Sequence, residues 1–227
     1  MHEPLRLVLP LITYGGTITA DPLTGAPAGV HLLGRDIIET TIATCANHPI
    51  TEPLLLTFEE GRDWFGWRPA RETPGLSAFV NARTGDARLR PITRTDPVDF
   101  AAVSYVTILA PAADLVNLRT HPQPTLDLCA NFLTEDPSTP GFNWLEMHSP
   151  DGTKAKAIQR LRTALGADRL VVFGDGPNDL PMFEIADESN AVANAIPAVE
   201  AIATGVIGSN DQDAVAHWID THRFNIS

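Results

Sequence analysis

The 227-residue chain contains no apolar run of the roughly 18 residues that a membrane-spanning helix needs, so no membrane span is expected. The first residues lack a basic segment followed by an apolar one, and no secretion signal is predicted. Cys45 and Cys129 are far apart, with no CxxC or Cys/His spacing, which disfavours a disulfide or a zinc site. These absences favour a cytoplasmic protein with two reduced, inert thiols.

Positive charge is also scarce. The formal net charge is −12, which argues against nucleic acid and anionic membrane surfaces as main partners. A small anionic substrate remains compatible with this charge, because one local cation can hold it. Lys154 and Lys156 are the only lysines among 16 basic residues, so a lysine that binds an anion has few candidates.

The pattern of apolar residues divides the chain into two parts. Over 14–148, short strand and helix patterns alternate irregularly, as in an α+β domain. Over 149–227, an amphipathic helix at 154–167 precedes the apolar strand RLVVFG, and further strand and helix patterns follow. We expect a doubly wound α/β layer in this second part, with residues 1–13 as a remnant of a strand and helix of the same layer.

The stretch GDGPNDLPM, residues 174–182, directly follows the apolar strand. Ligands bind at the carboxyl ends of strands in open α/β sheets, and Asp175 and Asp179 fall on that loop. Two carboxylates there suit Mg²⁺, which takes one or two carboxylates, waters and usually phosphate oxygens. The alternative is that both aspartates only cap a turn and a helix. The complete string favours the metal site.

Lys154 is expected in the first turn of the amphipathic helix. A lysine is poorly placed there relative to the helix dipole, and the position is better explained if the ammonium points at an anion. The alternative is a solvated surface lysine. Lys156, two residues further on, is expected to face elsewhere.

These two motifs resemble the haloacid dehalogenase superfamily, and specifically its Cof-type phosphatases, which carry a large α+β cap inserted in the core. GDGPNDLPM is similar to the fourth motif of that family, and GTKAKAIQRL to the region of its third motif. PLITYGGTITADPLTG is similar to the entry into the cap. The resemblance implies a partial Rossmann-like core at 149–227 and an α+β cap at 14–148.

The resemblance also implies hydrolysis of a phosphate monoester through an aspartyl-phosphate. Lys154 would neutralise phosphoryl charge, and Asp175 and Asp179 would bind Mg²⁺. Asn178 would orient the phosphate or a metal-bound water. The substrate would be a small phosphorylated metabolite chosen by residues of the cap.

The nucleophile motif of that family, Asp-x-Asp after the first core strand, is not found. The sole Asp-x-Asp spacing is Asp211-Gln212-Asp213, which we interpret as the polar start of the last helix. The segment that carries the first strand and the nucleophile in the family has no counterpart here. We therefore predict that this chain alone has no substantial phosphatase turnover.

Three explanations remain open. The chain is an amino-terminally truncated phosphatase or one with a wrongly assigned start. Alternatively, it has lost catalysis and serves as a phosphometabolite-binding or protein-interaction module. The third alternative is a half-site completed by a second copy or another chain, which would also cover the exposed sheet edge.

The α+β part offers a function of a different class, a small-molecule binding domain. Trp64, Phe65 and Trp67 lie close together, beside Arg62 and Arg68, and could select the leaving group. The alternative is a strand whose residues alternate between core and solvent.

One further residue, His148, lies near the boundary between the two parts of the chain. It could approach a substrate, but we favour a loop histidine with its hydrogen bonds satisfied.

Overall fold

The computed structural model describes residues 9–47, 51–93, 98–120, 126–136 and 139–222, without the side chains of 117, 119 and 120. The chain forms two compact units, the first ending at Thr153 and the second beginning at Lys154. The segment before residue 9, where part of the core remnant is predicted, lies outside the described residues. No helix among those described is long and apolar enough to cross a membrane.

The first unit contains two sheets and helices packed on the larger sheet. Its strands are β1 Leu11–Thr13, β2 Ile18–Ala20, β3 Pro27–Val30, β4 Pro53–Glu59, β5 Arg62–Trp67, β6 Leu89–Pro91, β7 Val103–Pro111, β8 Ala130–Glu135 and β9 Phe142–His148. Its helices are α1 Arg35–Ala46, α2 Pro74–Ala82 and α3 Ala112–Thr120. The small antiparallel sheet has the order β1-β2-β3, and the six-stranded sheet has the order β6-β5-β4-β7-β9-β8. In the larger sheet only the pair β5 and β6 is parallel.

Alternation along β4 explains why this sheet has a core on each face. Leu55 packs in a cluster with residues of α1 and α3, whereas Leu54 packs with Leu76 and Phe79 of α2. The start of α2 agrees with its sequence, because the hydroxyl of Thr73 accepts a hydrogen bond from the backbone N–H of Leu76. The predicted α+β character of this part is confirmed.

The second unit is a small parallel α/β layer. Its strands are β10 Val171–Gly174, β11 Glu188–Ala191 and β12 Gly205–Val206, in the order β10-β11-β12. Its helices are α4 Lys154–Leu165, α5 Leu180–Phe183, α6 Pro197–Glu200 and α7 Ala214–His222. Ala155 of α4, Val172 of β10 and Val199 of α6 share its apolar core. The predicted Rossmann-like α/β character is confirmed.

The main helix of this unit has the predicted start and a slightly earlier end. It begins at Lys154 and ends at Leu165 rather than 167. Gly166 follows with a φ of 61°, in the left-handed region that favours glycine and ends a helix. The first residue of α4 is therefore the lysine that the sequence singled out.

Candidate functional site

The candidate site is built on the loop that follows β10. Val171, Val172 and Phe173 form the apolar body of this strand, which pairs in parallel with β11. Asp175 follows the last strand residue, and a short 3₁₀ turn, Pro177–Asp179, leads into α5. The loop thus stands at the carboxyl end of a parallel strand, where α/β layers bind ligands.

Asp179 is the buried centre of this loop. Its side chain is 3% exposed, and Oδ2 accepts hydrogen bonds from the backbone N–H groups of Asp175 at 2.9 Å and Gly176 at 3.0 Å. Its other oxygen, Oδ1, accepts from Nζ of Lys154 at 2.5 Å. Both carboxylate oxygens are therefore engaged by the protein itself, and the loop closes around the side chain.

Gly174 is required by this closure. A Cβ at residue 174 would lie 2.7 Å from Cβ, Cγ and Oδ2 of Asp179, closer than atoms in van der Waals contact approach. The first glycine of the GDG triplet thus leaves room for the buried carboxylate. Asp179 cannot move aside easily, because its hydrogen bonds to the loop backbone hold it.

Lys154 reaches this loop from the first residue of α4. Its Nζ donates to Oδ1 of Asp179 and, at 3.1 Å, to Oδ1 of Asn178, and its side chain is 32% exposed. The unfavourable position of a lysine at a helix amino terminus is thereby offset by a carboxylate. Lys156 is exposed, whereas its neighbours Ala155 and Ala157 are buried. The structure thus brings Lys154, Asn178 and Asp179 together.

Asp175 lies only four positions before Asp179, but its environment is different. It is exposed, and its carboxylate makes no hydrogen bond or ion pair with any described residue. A hard cation such as Mg²⁺ prefers such oxygen ligands and completes its shell with waters and substrate oxygens. Within the described ranges, no group of three or more His, Cys, Asp or Glu side chains could hold a metal alone. The residues fit a Mg²⁺ held in part by a bound phosphate.

His148 ends β9 and is buried in the first unit, at 1% exposure. Its ring stacks on Tyr105 and Phe132, both with centroids 5.6 Å away. Burial lowers the pKa of His148, and the backbone carbonyl of Ser149, 3.2 Å from Nδ1, opposes that shift. The environment is that of a packed histidine with a backbone partner.

The aromatic residues of β5 divide between the two faces of the sheet. Phe65 and Trp67 pack in the core beneath α2 with Phe79. Trp64, on the alternate face, donates its indole N–H to Oε2 of Glu59 at 3.1 Å and packs against the guanidinium of Arg90. Selection of a leaving group by these rings stays a prediction.

The remaining residues singled out from the sequence are two exposed aspartates and two buried cysteines. Asp211 is exposed in the 3₁₀ turn Asn210–Gln212, and Asp213 is an exposed residue between that turn and α7. Cys45 and Cys129 are free and buried, and burial raises the pKa of each thiol to about 11. The two cysteines are thus unbridged, as predicted, and their inertness stays a prediction.

Sequence reasoning missed one buried charged cluster. Glu52, 1% exposed in its side chain, pairs with Arg68 and Arg71. The sequence gives little indication of this cluster, because a single Glu before a strand resembles a loop residue. Only the folded chain places both arginines next to Glu52.

The relationship of the chain to known proteins agrees with this geometry. The model of the haloacid dehalogenase-like hydrolase family matches residues 1–219. The chain belongs to this family. The resemblance read from GDGPNDLPM and Lys154 is thereby confirmed.

Two curated haloacid dehalogenase-like phosphatases of Bacillus subtilis illustrate the sequence similarity. The chain is 29% identical over 222 residues to the 5-amino-6-(5-phospho-D-ribitylamino)uracil phosphatase YitU, covering 96% of this chain and 77% of YitU. It is 35% identical over 82 residues to YwtE, a phosphatase of the same name, covering 35% of this chain and 29% of YwtE. The chain thus aligns to less than a third of YwtE and to about three quarters of YitU.

Solved structures share the fold at low sequence identity. SMU.1108c from Streptococcus mutans superposes with a TM-score of 0.75 at 19% identity, covering 94% of this chain and 76% of that one. The subclass IIB sugar phosphatase BT4131 superposes with a TM-score of 0.69 at 17% identity, covering 96% of this chain and 76% of that one. The predicted fold class, an α/β haloacid dehalogenase core with an α+β cap, is confirmed.

Proposed function

We propose that this protein is a Mg²⁺-dependent phosphate monoester hydrolase whose described residues supply the lysine and acidic-loop portion of the active site. One observation carries the proposal: Lys154, Asn178 and the buried Asp179 meet on the loop after β10, while Asp175 on the same loop remains exposed. A phosphoryl group placed there would meet one ammonium and one metal-binding carboxylate. Both reduce the charge that opposes attack on a phosphate ester.

The two aspartates have different proposed roles. Asp175 would hold the cation. Asp179 would hold Lys154 and the loop backbone in place, and it would bind the metal only by giving up one of its hydrogen bonds to them. Asn178 would orient the phosphate or a metal-bound water through its amide. Mg²⁺, when bound, supplies charge neutralisation at the phosphoryl oxygens. The remaining work of this loop is positioning, which the three contacts of Asp179 support.

The proposed substrate is a small phosphorylated metabolite. YitU and YwtE are named as phosphatases of a phosphorylated ribitylaminouracil, and BT4131 as a sugar phosphatase. We propose the part from 14 to 148 as the cap that selects among such substrates and 149–227 as part of the core. The free thiols Cys45 and Cys129 support a reducing, cytoplasmic setting.

A second candidate is a phosphometabolite-binding module or a half-site completed by a partner chain or a second copy. It is favoured by one observation, that the only Asp-x-Asp spacing lies on the exposed turn at Asp211 and Asp213. A covalent route through an aspartyl-phosphate needs a carboxylate facing the phosphoryl group. We therefore expect the 227-residue chain by itself to release little phosphate.

The test separates binding from turnover. Binding of inorganic phosphate with Mg²⁺ is measured by calorimetry in the parent protein, in Lys154→Ala and in Lys156→Ala, which removes the same charge two residues away. We expect Lys154→Ala to weaken binding about tenfold or more and Lys156→Ala to change it less than about twofold. Equal effects in both variants would contradict the proposal.

Turnover is measured as phosphate release from p-nitrophenyl phosphate with and without Mg²⁺. Asp175→Asn is compared with Asp168→Asn, a change at an exposed aspartate outside the loop. Phosphate binding without turnover supports the half-site or binding module. Mg²⁺-dependent turnover lost in Asp175→Asn and kept in Asp168→Asn supports a complete enzyme and shows that a nucleophile is present.

A further inference from the structure

The first unit contains a cavity of about 310 Å³ beside strands β4 and β5 of its large sheet. Its volume is at the lower end of the range for small-molecule sites. The walls come from α1, β4, β5 and the described residues at 92–93 and 98–100. The residues that form its apolar surface are Ile42, Pro53, Leu55, Trp67, Ile92, Val98 and Phe100. All of them belong to the same unit, so the cavity is a property of this unit alone.

Charged groups lie where this cavity meets a neighbouring depression: Glu52 and Arg68 line the cavity, and Arg68 and Arg71 line the depression. Glu52 is almost fully buried, with 1% of its side chain exposed. Arg68 donates from Nε to Oε1 of Glu52 at 2.5 Å and from Nη2 to Oε2 at 2.9 Å. Arg71 donates from Nε to Oε2 at 3.0 Å and from Nη2 to the carbonyl oxygen of Cys45 at 3.0 Å. One carboxylate thus fixes the position of two guanidinium groups.

The two arginines retain unused donors. A guanidinium carries five N–H groups, and Nη1 of Arg68 and of Arg71 has no acceptor among the described residues. Each arginine side chain is 33% exposed, so neither guanidinium is sealed in the core. The cluster of Arg68, Arg71 and Glu52 carries a formal charge of +1 on a chain whose net charge is −12.

A purely structural role explains only part of this arrangement. The cluster ties the start of β4 to the turn Pro69–Arg71 and to the end of α1, through the Cys45 carbonyl. Arg68 alone already satisfies Glu52 with a bidentate pair. The second arginine adds the excess charge and borders the neighbouring depression of about 740 Å³, which adjoins the cavity at Arg68 and Ile92.

We propose that this cavity, together with the depression that adjoins it at Arg68, binds a small organic oxyanion, a carboxylate or phosphate monoester with an apolar body. Arg68 and Arg71 hold the oxyanion through their Nη1 groups, and Glu52 positions both guanidinium groups. The apolar body lies against Ile42, Leu55 and Phe100, which line the cavity and pack in one cluster. This site is independent of the loop after β10.

Benzoate is the first probe, because it combines a carboxylate with a flat apolar ring. Its binding is measured by calorimetry, and its location by the indole N–H signals of protein labelled with ¹⁵N. The Trp67 signal should shift in proportion to occupancy, whereas the Trp218 signal of the second unit should not. Benzyl alcohol, similar in shape but neutral, should bind at least about tenfold more weakly.

Arg71→Gln is the informative variant, because Glu52 keeps its bidentate pair with Arg68. Benzoate affinity should fall about tenfold or more. The matched control is Arg62→Gln, at an exposed arginine of β5 that forms no ion pair with the described residues, and benzoate affinity should stay within about twofold in this variant. Ile42→Phe, which narrows the cavity and leaves both arginines intact, should weaken benzoate as well.

Lys154→Ala separates this site from the proposed phosphate site. Benzoate binding should be unchanged in that variant, and phenyl phosphate titrated into it should still shift the Trp67 signal if the site accepts phosphate esters. A shift with benzoate alone assigns the site to carboxylates. Three results would overturn the proposal: no saturable benzoate binding, equal loss in Arg71→Gln and Arg62→Gln, or equal binding of benzyl alcohol.

Discussion

Replacing Asp179 with alanine should destabilise the protein far more than the same change at Asp175, although both aspartates belong to one loop. The Asp179 side chain is 3% exposed and accepts three hydrogen bonds, two from backbone N–H groups and one from Lys154. The Asp175 side chain is exposed and makes none with the described residues. The pair therefore offers the same chemical change in two opposite environments.

The expected difference follows from these contacts. A hydrogen bond to a charged group contributes about 1.5–3 kcal/mol to the free energy of unfolding when it is fully buried. Here the amide donors belong to the exposed Asp175 and the half-buried Gly176, and Lys154 is 32% exposed, so water replaces part of each contact. We expect Asp179→Ala to lower the free energy of unfolding by about 2–4 kcal/mol, and Asp175→Ala by about 0.5 kcal/mol or less.

The assay must report on the unit that holds the loop. Trp218 of α7 packs edge to face on Phe173 of β10, with ring centroids 5.1 Å apart. Urea unfolding followed at the ¹⁹F signal of Trp218 in fluorotryptophan-labelled protein therefore measures the stability of this unit. Equal losses in the two variants, or a larger loss for Asp175→Ala, would refute the reasoning that Asp179 closes the loop.

Three further predictions concern single residues. Gly174→Ala should lower the free energy of unfolding by about 1–3 kcal/mol, because the added Cβ would lie 2.7 Å from Asp179. Gly176→Ala should have little effect, because the nearest contact of its Cβ would be at 3.5 Å. Similar urea midpoints for the two variants would contradict this prediction. Burial lowers the pKa of His148 below 6.5, so the unfolded chain binds the proton more readily, and stability should fall as the pH drops below about 6.5. This acid loss should be smaller in His148→Phe, as compared by urea titrations at pH 7.5 and 5.5, and an identical loss would exclude His148 as its source. Cys45 and Cys129 are buried, and the pKa of each thiol is raised to about 11. Both should therefore react with Ellman's reagent at pH 8 only in denaturant. Rapid labelling of the native protein would contradict their burial.

The sequence predicted the local features of the second unit well because they depend on neighbouring residues. The apolar run before GDGPNDLPM indicated a parallel strand, and Lys154 was expected at the start of its helix. The end of that helix near Gly166 follows from the conformational freedom of glycine. These features require only periodicity, capping and the placement of apolar residues.

The sequence did not distinguish Asp175 from Asp179. Both stand on the same loop, and both were predicted as metal ligands. In the folded chain, Asp179 packs closely against Gly174 and binds Lys154 of α4. The carboxylate of Asp179 is therefore engaged, whereas that of Asp175 stays exposed. The sequence likewise did not show which environment Trp64 or Trp67 would have. Alternation along a strand predicts that they lie on opposite faces, but not which elements pack on each face.

The sequence by itself determined the family, the α/β and α+β parts, and the loop on which the candidate chemistry stands. The tertiary structure decided which side chains meet: Lys154 with Asp179 across 25 residues of sequence, and Glu52 with Arg68 and Arg71 beside a cavity. The reason is physical. Secondary structure follows from interactions a few residues apart, whereas burial and charge pairing depend on segments that only the folded chain brings together.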